Sequence, residues 1–536
     1  MVNFDLSTYK PPGIYTNPTQ GPQLAVNSSL PRAVGIVGTA VGYKTFTETI
    51  TFRDTDTSSP VNQNLTQAGI IKSTIVVTNI SNGKPYDGAS TGNTTNYLVN
   101  NIANGDNNDN SIYALQRNVT STTIGQTETV RVSYNYQDSS YFLPYTFYDY
   151  RDVVAAYGPA LTKYTDTNGV SSWEITSELS LAAKFAFLNG AYQVVCVAVK
   201  PASGTAPGTP AQDPDYGVAM QLLSDIPSIA IVTSCRSTNK DSTLPDVRAH
   251  VYQQSTSRYE RRAILGFDGS TTVVPSSTRI TAAQYTDSLD VSNRIMLVSP
   301  SAFTYYSSEL AQTITLGGQY MAAALAGMTV AMSFAMPLTH KYPVGFTGIV
   351  AETPPLQDAQ LTEESRSGLA VIEYDRRGNI RVRHGVTTDS TDLIPREWSI
   401  TGQQDALVFR LRDYLDDANL IGQPIYSYTL VNVKASAEAA LQSLVRDNLL
   451  VDYTGLTVRQ LLSNPDVIEI SFGWKPAFPL NYIVLTFAID LTSGTVNTNT
   501  TTANINNATS TTQTSTSPTS TSTNDFGGSS NTLQSF

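Results

Sequence analysis

Cysteine, histidine and charge are all in short supply in this 536-residue chain. It carries 2 cysteines and 3 histidines, and 14% of its residues are Asp, Glu, Lys or Arg. Two cysteines, Cys196 and Cys235, exclude a disulfide framework. Both sit in or beside predicted strands, where small, apolar thiols are expected to be buried and reduced. His250, His340 and His384 are widely separated and form no His-Glu-x-x-His pair, so that kind of zinc site is not encoded. A net charge of −11 argues against nucleic acid as a main partner. Met1 to Pro12 has no basic start followed by an apolar run, so no secretory signal is expected and assembly is placed in a cytoplasm. The Met321 to Met336 run falls short of the roughly 20 apolar residues that span a membrane. Pro337, His340 and Lys341 close it, and Ala322, Ala323, Ala324, Ala326 and Gly327 predict a tightly packed core helix instead.

Catalytic constellations are missing as well. Gly35-Ile36-Val37-Gly38-Thr39-Ala40-Val41-Gly42 opens no helix in the dinucleotide pattern, and Gly42-Tyr43-Lys44-Thr45 breaks the Gly-Lys-Ser/Thr ending of a phosphate loop. The loop Lys200-Pro201-Ala202-Ser203-Gly204 lacks the glycine spacing that brings backbone N–H groups onto a phosphate. Asp106-Asn107-Asn108-Asp109-Asn110-Ser111 starts like a calcium loop. It has no glycine at the sixth position, however, and Arg117 stands where a bidentate Glu belongs. No Gly-x-Ser-x-Gly elbow is found. The sequence encodes no enzyme site, no cofactor site and no metal site.

What the chain does have is organisation in blocks. Residues 1–31, with Pro11, Pro12, Pro18, Pro22 and Pro31, read as an extended arm, because proline fixes φ and pushes its predecessor to extended geometry. Residues 32–45 hold a buried core strand, Ala33 to Ala40. Residues 46–145 are dense in Asn, Thr and Ser with short β-rich runs split by Asn82-Gly83 and Asn104-Gly105, which predicts an inserted, external β-rich domain. Residues 146–345 alternate helix and near-continuous apolar strand, the pattern of a covered parallel sheet. Ser177 is the expected N-cap of one helix and Asn189-Gly190 its stop.

Residues 346–491 read as a second α/β unit, tube-proximal on the resemblance given below. A hairpin is expected around Arg376-Arg377-Gly378-Asn379. It is followed by a helix capped by Asp405 and carrying Leu407, Val408, Leu411, Tyr414 and Leu415, and by another helix from about Ser436. A terminal hairpin is expected to pair Val467–Phe472 with Asn481–Asp490 and to bury Ile483, Leu485, Phe487 and Ile489 on one face. Residues 492–536 are a Thr/Ser/Asn-rich tail or arm that cannot bury enough surface to fold alone. An isolated hairpin is marginal in water, so an arm at one end and an edge-exposing hairpin at the other suggest strand donation between subunits.

Six of these blocks occur in an order that resembles one family. They are Pro12-Gly13-Ile14-Tyr15; Ala33 to Ala40; Leu181-Ala182-Ala183 to Ala191 with Gln193 to Val199; Ala322 to Met328 with Thr339-His340-Lys341 and Gly345-Phe346; His384-Gly385-Val386-Thr387-Thr388; and Lys475-Pro476 to Asn481-Tyr482-Ile483. Together they resemble the contractile tail sheath proteins of bacteriophages, with relatives in tailocins and secretion systems. The resemblance implies a multidomain, mixed α/β protomer whose terminal arms donate strands to neighbours. It implies hexameric rings of this chain in a helical lattice around a tail tube protein, ended by baseplate and tail-terminator proteins. Neither nucleic acid nor membrane insertion is part of that picture. Contraction would drive the tube through a host envelope, and the protein would reside in the virion. Gly13, Ile14, Tyr15, Ile470, Phe472, Ile483, Leu485, Phe487 and Ile489 are the candidate strand-exchange residues. A surface adhesin or fibre protein is the alternative, favoured by the polar insertion and tail but leaving the helix–strand core without a purpose.

Overall fold

The computed structural model describes residues 30–40, 44–54, 60–89, 95–105, 111–120, 123–137, 139–165, 171–200, 211–288, 290–463, 465–489 and 496–499. Its main sheet is built from β1 (Ala33–Gly38), β2 (Tyr145–Phe147), β3 (Gln193–Ala198), β4 (Ile229–Ser234), β5 (Arg262–Gly266), β6 (Ile295–Ser299), β7 (Leu369–Tyr374) and β8 (Ile380–Val382). They lie in the order β8-β7-β6-β5-β4-β1-β3-β2. The six inner strands are parallel, and β2 and β8 close the edges antiparallel. Every residue of β1, β4, β5 and β6 is buried. A parallel sheet covered on both faces needs such unbroken apolar runs.

The cover comes from α1 (Tyr150–Tyr157), α2 (Glu178–Leu188), α3 (Asp213–Gln221), α4 (Thr243–Thr256), α5 (Ser276–Asp287), α6 (Gly318–Ala331) and α7 (Asp358–Arg366). Helices α2 and α6 lie on one face, and α3, α4 and α5 on the other. Ser177 caps α2 as expected, its hydroxyl accepting the Ser180 N–H at 3.1 Å, and Gly190 ends the turn at φ +98°. The apolar Met321 run forms the buried α6. Gly327 lets α6 approach α2 closely: a Cβ there would fall 2.2 Å from the Ala186 carbonyl oxygen. Among the described residues no helix is long and apolar enough to cross a membrane.

Between β1 and β2 the chain builds a separate β-layered body. One sheet orders Lys44–Thr51, Thr129–Tyr136 and Val76–Asn79; the other orders Gln63–Asn64, Ile112–Arg117, Tyr97–Ala103 and Gly88–Ala89. Phe52, Tyr113, Leu115, Val130, Val132 and Tyr134 form a core of their own, distinct from that of the main sheet. A buried Arg117–Asp54 pair at 2.6 Å sits inside it. The chain departs after Gly38, at the C-terminal end of β1, and returns at Tyr145, which lies beside Cys196 in β3.

The opposite ends of the strands carry a helical unit. Helices α8 (Trp398–Asp417) and α9 (Ser427–Arg446) bury Ala406, Leu407, Leu441 and Leu444 between them. They are tied to the N-terminal ends of β5 and β6 by a buried charge cluster. Asp405 lies 2.8 Å from Arg294 and 3.4 Å from Arg262. Arg262 donates to the Trp398 carbonyl at 3.2 Å, with its guanidinium 4.5 Å from the Trp398 ring centroid. Arg412 adds a 2.6 Å pair to Glu260, and Thr401 donates to the Asn293 carbonyl at 3.1 Å.

Several sequence expectations are corrected here. Asp405 does not cap a helix; it lies within α8, buried, because two arginines from the sheet claim its carboxylate. Helix α9 starts at Ser427 rather than near Ser436: its first turns expose Tyr428 and Val431, so no apolar period marks them. Strands β7 and β8 do form a hairpin around Arg376–Asn379, yet they belong to the main sheet, β7 pairing with β6. The expected second unit therefore shares its sheet with the first.

Replacing Asp405 by Ala leaves two buried guanidinium groups without their counter-charge, a loss of about 3–5 kcal/mol. Asp416→Ala, at an exposed position of the same helix, should cost within about 0.5 kcal/mol. Urea unfolding followed by tryptophan fluorescence, to which the buried Trp398 contributes, measures the difference.

Candidate assembly interface

Doubly wound sheets offer ligands a crevice beyond the strand ends where the winding reverses, here between β1 and its two neighbours, β3 and β4. That place is filled from within. Glu178, the first residue of α2, accepts the Thr39 N–H at 2.9 Å and the Tyr216 hydroxyl at 2.7 Å. Burial holds its carboxyl above the usual range, with the two donors partly opposing the shift. A phosphate would find the place already occupied by the Glu178 carboxyl group and its two donors. The Cys196 and Cys235 thiols are buried and pushed up by desolvation. Among the described residues no three His, Cys, Asp or Glu side chains are arranged to hold a metal ion. The calcium-like run 106–110 and the loop 201–210 lie outside the described residues.

The surface with unmet bonding capacity lies on the helical unit. Strands β9 (Asp452–Gln460) and β10 (Ile468–Lys475) form an antiparallel sheet of two. Among the described residues neither has a second partner, so both outer edges present unpaired backbone N–H and C=O groups. One face is seated: Tyr453, Leu456, Phe472 and Trp474 pack against the Leu407–Leu441–Leu444 cluster. The other is polar and laced by Arg459–Glu469 and by Lys475–Asp452 at 3.4 Å. Gly455, at φ +67°, and Leu456 together oppose Phe472, a bulge that turns the strand while keeping Tyr453 and Leu456 on the seated side. Beyond β10 the chain is clamped by Gln403, whose side chain accepts the Ala477 N–H at 2.7 Å and donates to the Ala477 carbonyl at 3.0 Å.

The described residues from Leu480 on belong to a unit separate from the one before it. In it β11 (Thr486–Ile489) pairs antiparallel with β12 (Val496–Asn499). The expected hairpin between Val467–Phe472 and Asn481–Asp490 is thus not formed: β10 pairs backwards with β9, and β11 pairs forwards. Alternation marks a strand's faces and leaves its partner open. Ile470 and Phe472 sit on β10. Phe487 and Ile489 sit on β11. Ile483 and Leu485 precede it with no strand assignment, 75% and 73% exposed rather than buried. Gly13, Ile14 and Tyr15 lie outside the described residues. Sequence reasoning misses β9, whose glycine bulge interrupts the alternation that would reveal it.

No protein-family model matches the chain. It is 36% identical over an alignment 597 positions long to the tail sheath protein of Mycobacterium phage Bxz1, with 92% of this chain and 98% of that protein covered. Among solved structures it is similar to the helical sheath of the anti-feeding prophage in its contracted state, with a TM-score of 0.48 and 14% identity over 65% of this chain and 88% of that one. It is also similar to a sheath tail protein from Desulfitobacterium hafniense, with a TM-score of 0.41 and 11% identity over 87% of this chain and 96% of that one.

The two faces of β10 should respond differently to charge. Phe472→Asp puts a carboxylate against the Leu441 cluster and should cost about 2–4 kcal/mol. Ser471→Asp, on the polar face, should cost under about 0.5 kcal/mol. Equal thermal shifts in the purified protein would refute this assignment of faces.

Proposed function

This chain belongs to the tail sheath protein family, and we propose that it is the protomer of a contractile sheath, polymerising as hexameric rings around a tail tube and driving that tube forward by rearranging its own lattice. The observation that carries this reading is the two-stranded β9–β10 sheet with both edges open on a well-seated face. A neighbour's extended segment can add to either edge through backbone hydrogen bonds, the β-augmentation mode. The N-terminal arm around Gly13, Ile14 and Tyr15 is one donor. The segment leading into β11, with Leu480, Tyr482, Ile483, Val484 and Leu485 exposed, is the other. Each backbone bond contributes about 0.5–1.5 kcal/mol net, so roughly four to six per strand make a link of several kcal/mol.

The mechanism follows from where bonding is fixed and where it is open. The parallel sheet with its helices is close-packed and moves as one body. The donated strands hold neighbours together while the segments behind them flex. The stored energy resides in subunit contacts, so the sheath needs neither nucleotide nor metal for the stroke. The helical unit faces the tube, and the inserted body, 46–145, faces outward. What supports this polarity is that they leave opposite ends of the main strands. Tail tube, baseplate and tail-terminator proteins are the remaining partners, and the protein works in the virion after assembly in a host cytoplasm.

Deleting residues 1–24 should leave a folded, soluble monomer that no longer forms tubes by negative-stain microscopy. Tubes from the truncated protein would sink the strand-donation reading. Excising Thr47 to Gln137 with a short Gly/Ser bridge should, by contrast, preserve assembly, because that stretch has its own core and Tyr141, which packs in the core of the main sheet, is kept. A folded monomer that fails to assemble would instead assign lattice contacts to the insertion.

A further inference from the structure

Two clefts on the main sandwich carry mixed charge. One, of about 650 Å³, lies between residues 342–347 and the β7–β8 turn and sets Asp375 beside Arg377. Another, of about 340 Å³, lies against α1 and sets Arg151 beside Glu309. A third cleft, of about 350 Å³, is built differently. It opens at the C-terminal ends of β6 and β7, where residues 349–356 cross toward α7. Pro300, Val350, Leu356, Leu361 and Ile372 give it an apolar wall. The half-exposed Tyr374 stands in that wall, its hydroxyl accepting the Ile349 N–H at 2.7 Å. Its charged lining is Glu352, Asp358, Glu364 and Glu373, with no Lys, Arg or His among the described residues.

The arginines that answer these acids stand behind the wall. Arg279 and the Ser276 and Ser299 hydroxyls engage both oxygens of Glu364. Arg381 and Arg383 take the two oxygens of Glu373 at 2.6 and 2.7 Å. Asp358 is only half engaged: its Oδ1 accepts from Arg383 at 2.8 Å, and its Oδ2 has no partner among the described residues. Arg383 holds the Asp358 carboxyl below its usual range, so this exposed acid is ionised at neutral pH. Glu352 Oε1 lies 2.6 Å from Arg279 but off the line of a hydrogen bond. Four acids thus share three guanidinium groups, and the spare capacity is at Asp358 and Glu352. The first turn of α7, which would favour an anion, is answered from within. Gln360 accepts the Gln357 N–H at 2.8 Å, and Asp358 occupies the first helical position.

We propose that this cleft receives an arginine side chain presented by a protein partner, its stem on the Leu356 and Leu361 wall and its guanidinium at Asp358 and Glu352, beside the Tyr374 ring. Charge complementarity selects a cation, and the apolar wall selects one on an aliphatic stem. Guanidinium suits the place better than ammonium: it is planar and weakly hydrated, lies on an aromatic ring and bonds two carboxylate oxygens at once. The volume is near the small end of the roughly 300–1,000 Å³ of ligand clefts, room for a side chain rather than a cofactor. A free amino acid would bring its own carboxylate to an acidic wall, whereas a side chain brings only stem and head. The inference does not depend on the sheath reading; it needs only the cleft.

N-acetyl-L-arginine amide tests this with purified full-length protein, read by saturation-transfer NMR. Saturation should pass to the side-chain methylenes of the probe. N-acetyl-L-citrulline amide, which has the same shape without the charge, should bind at least about threefold more weakly, and so should free L-arginine. Ala351→Trp, at an exposed position in the wall, should fill the cleft and remove the signal. Asp358→Asn, also exposed, should weaken the probe about threefold. Asp416→Asn, an exposed acid on α8, should leave it unchanged. All three variants should keep the wild-type unfolding midpoint. No transfer from the wild-type protein, or transfer that survives Ala351→Trp, would overturn the proposal. Equal binding of the citrulline compound would leave an apolar cleft without the arginine. Free arginine binding as tightly as the capped probe would overturn the protein partner as its source.

Discussion

Asp405 is where the parts of this molecule are made into one. Its carboxylate is buried under α8 and held by Arg294 and Arg262 from the starts of β6 and β5. Arg262 in turn grips the Trp398 carbonyl and lies on its ring. Taking three charges out of water is expensive, and such a cluster stabilises little compared with a well-packed apolar contact. Its value is directional. An apolar interface tolerates sliding by small steps, while a carboxylate shared between two guanidinium groups has one satisfactory geometry. The helical unit, and with it β9 and β10, is thereby fixed in angle to the main sheet.

That fixed angle matters for any account in which motion passes through the chain. Force applied at the open edges of β9 and β10 reaches the sheet through α8 and α9 with few soft joints between. Gln403 clamps the exit of the chain at Ala477, and Arg412 pins the far half of α8 to Glu260. The compliant material is then what lies outside the sandwich. In the proposed lattice, contraction changes how bodies are related and leaves each body as it was.

The sequence discloses what local chemistry decides and hides what tertiary contact decides. β1, β4 and the α2 cap are readable because an unbroken apolar run, a serine before a helix and an Asn-Gly after it each have a local meaning. The Ala/Gly-rich run over 322–327 announces a close helix crossing, and Gly327 against Ala186 supplies it. Asp405 misleads because an acidic residue near an amphipathic run looks like a cap; only the arginines, far earlier in the chain, say otherwise. Strand β9 is invisible because Gly455 and Leu456 shift its period by one. The pairing of β10 goes to the wrong side, since alternation fixes which side chains share a face and says nothing of which strand lies alongside. At the candidate interface the exposed apolar residues Ile483 and Leu485 look like half of a folded hairpin. Alternation carries no mark of whether the apolar face it defines is covered, and here it is exposed.

Glu178 shows the same economy of function from the other side of the fold. A doubly wound sheet brings the ends of β1, β3 and β4 together and aims the start of α2 at them, a geometry suited to an anion. In this chain the place is taken by the protein's own Glu178 carboxyl group. Its bonds to the Thr39 N–H and the Tyr216 hydroxyl join the end of β1, α2 and α3. Thr39 is also the root from which the inserted body departs. A carboxyl group there trades a ligand, which would come and go, for a permanent brace. Together with Asp405 at the opposite end of the strands, it leaves the sandwich braced by a buried carboxyl group at both ends. Among the described residues the unpaired backbone groups are then left at the open edges of β9 and β10.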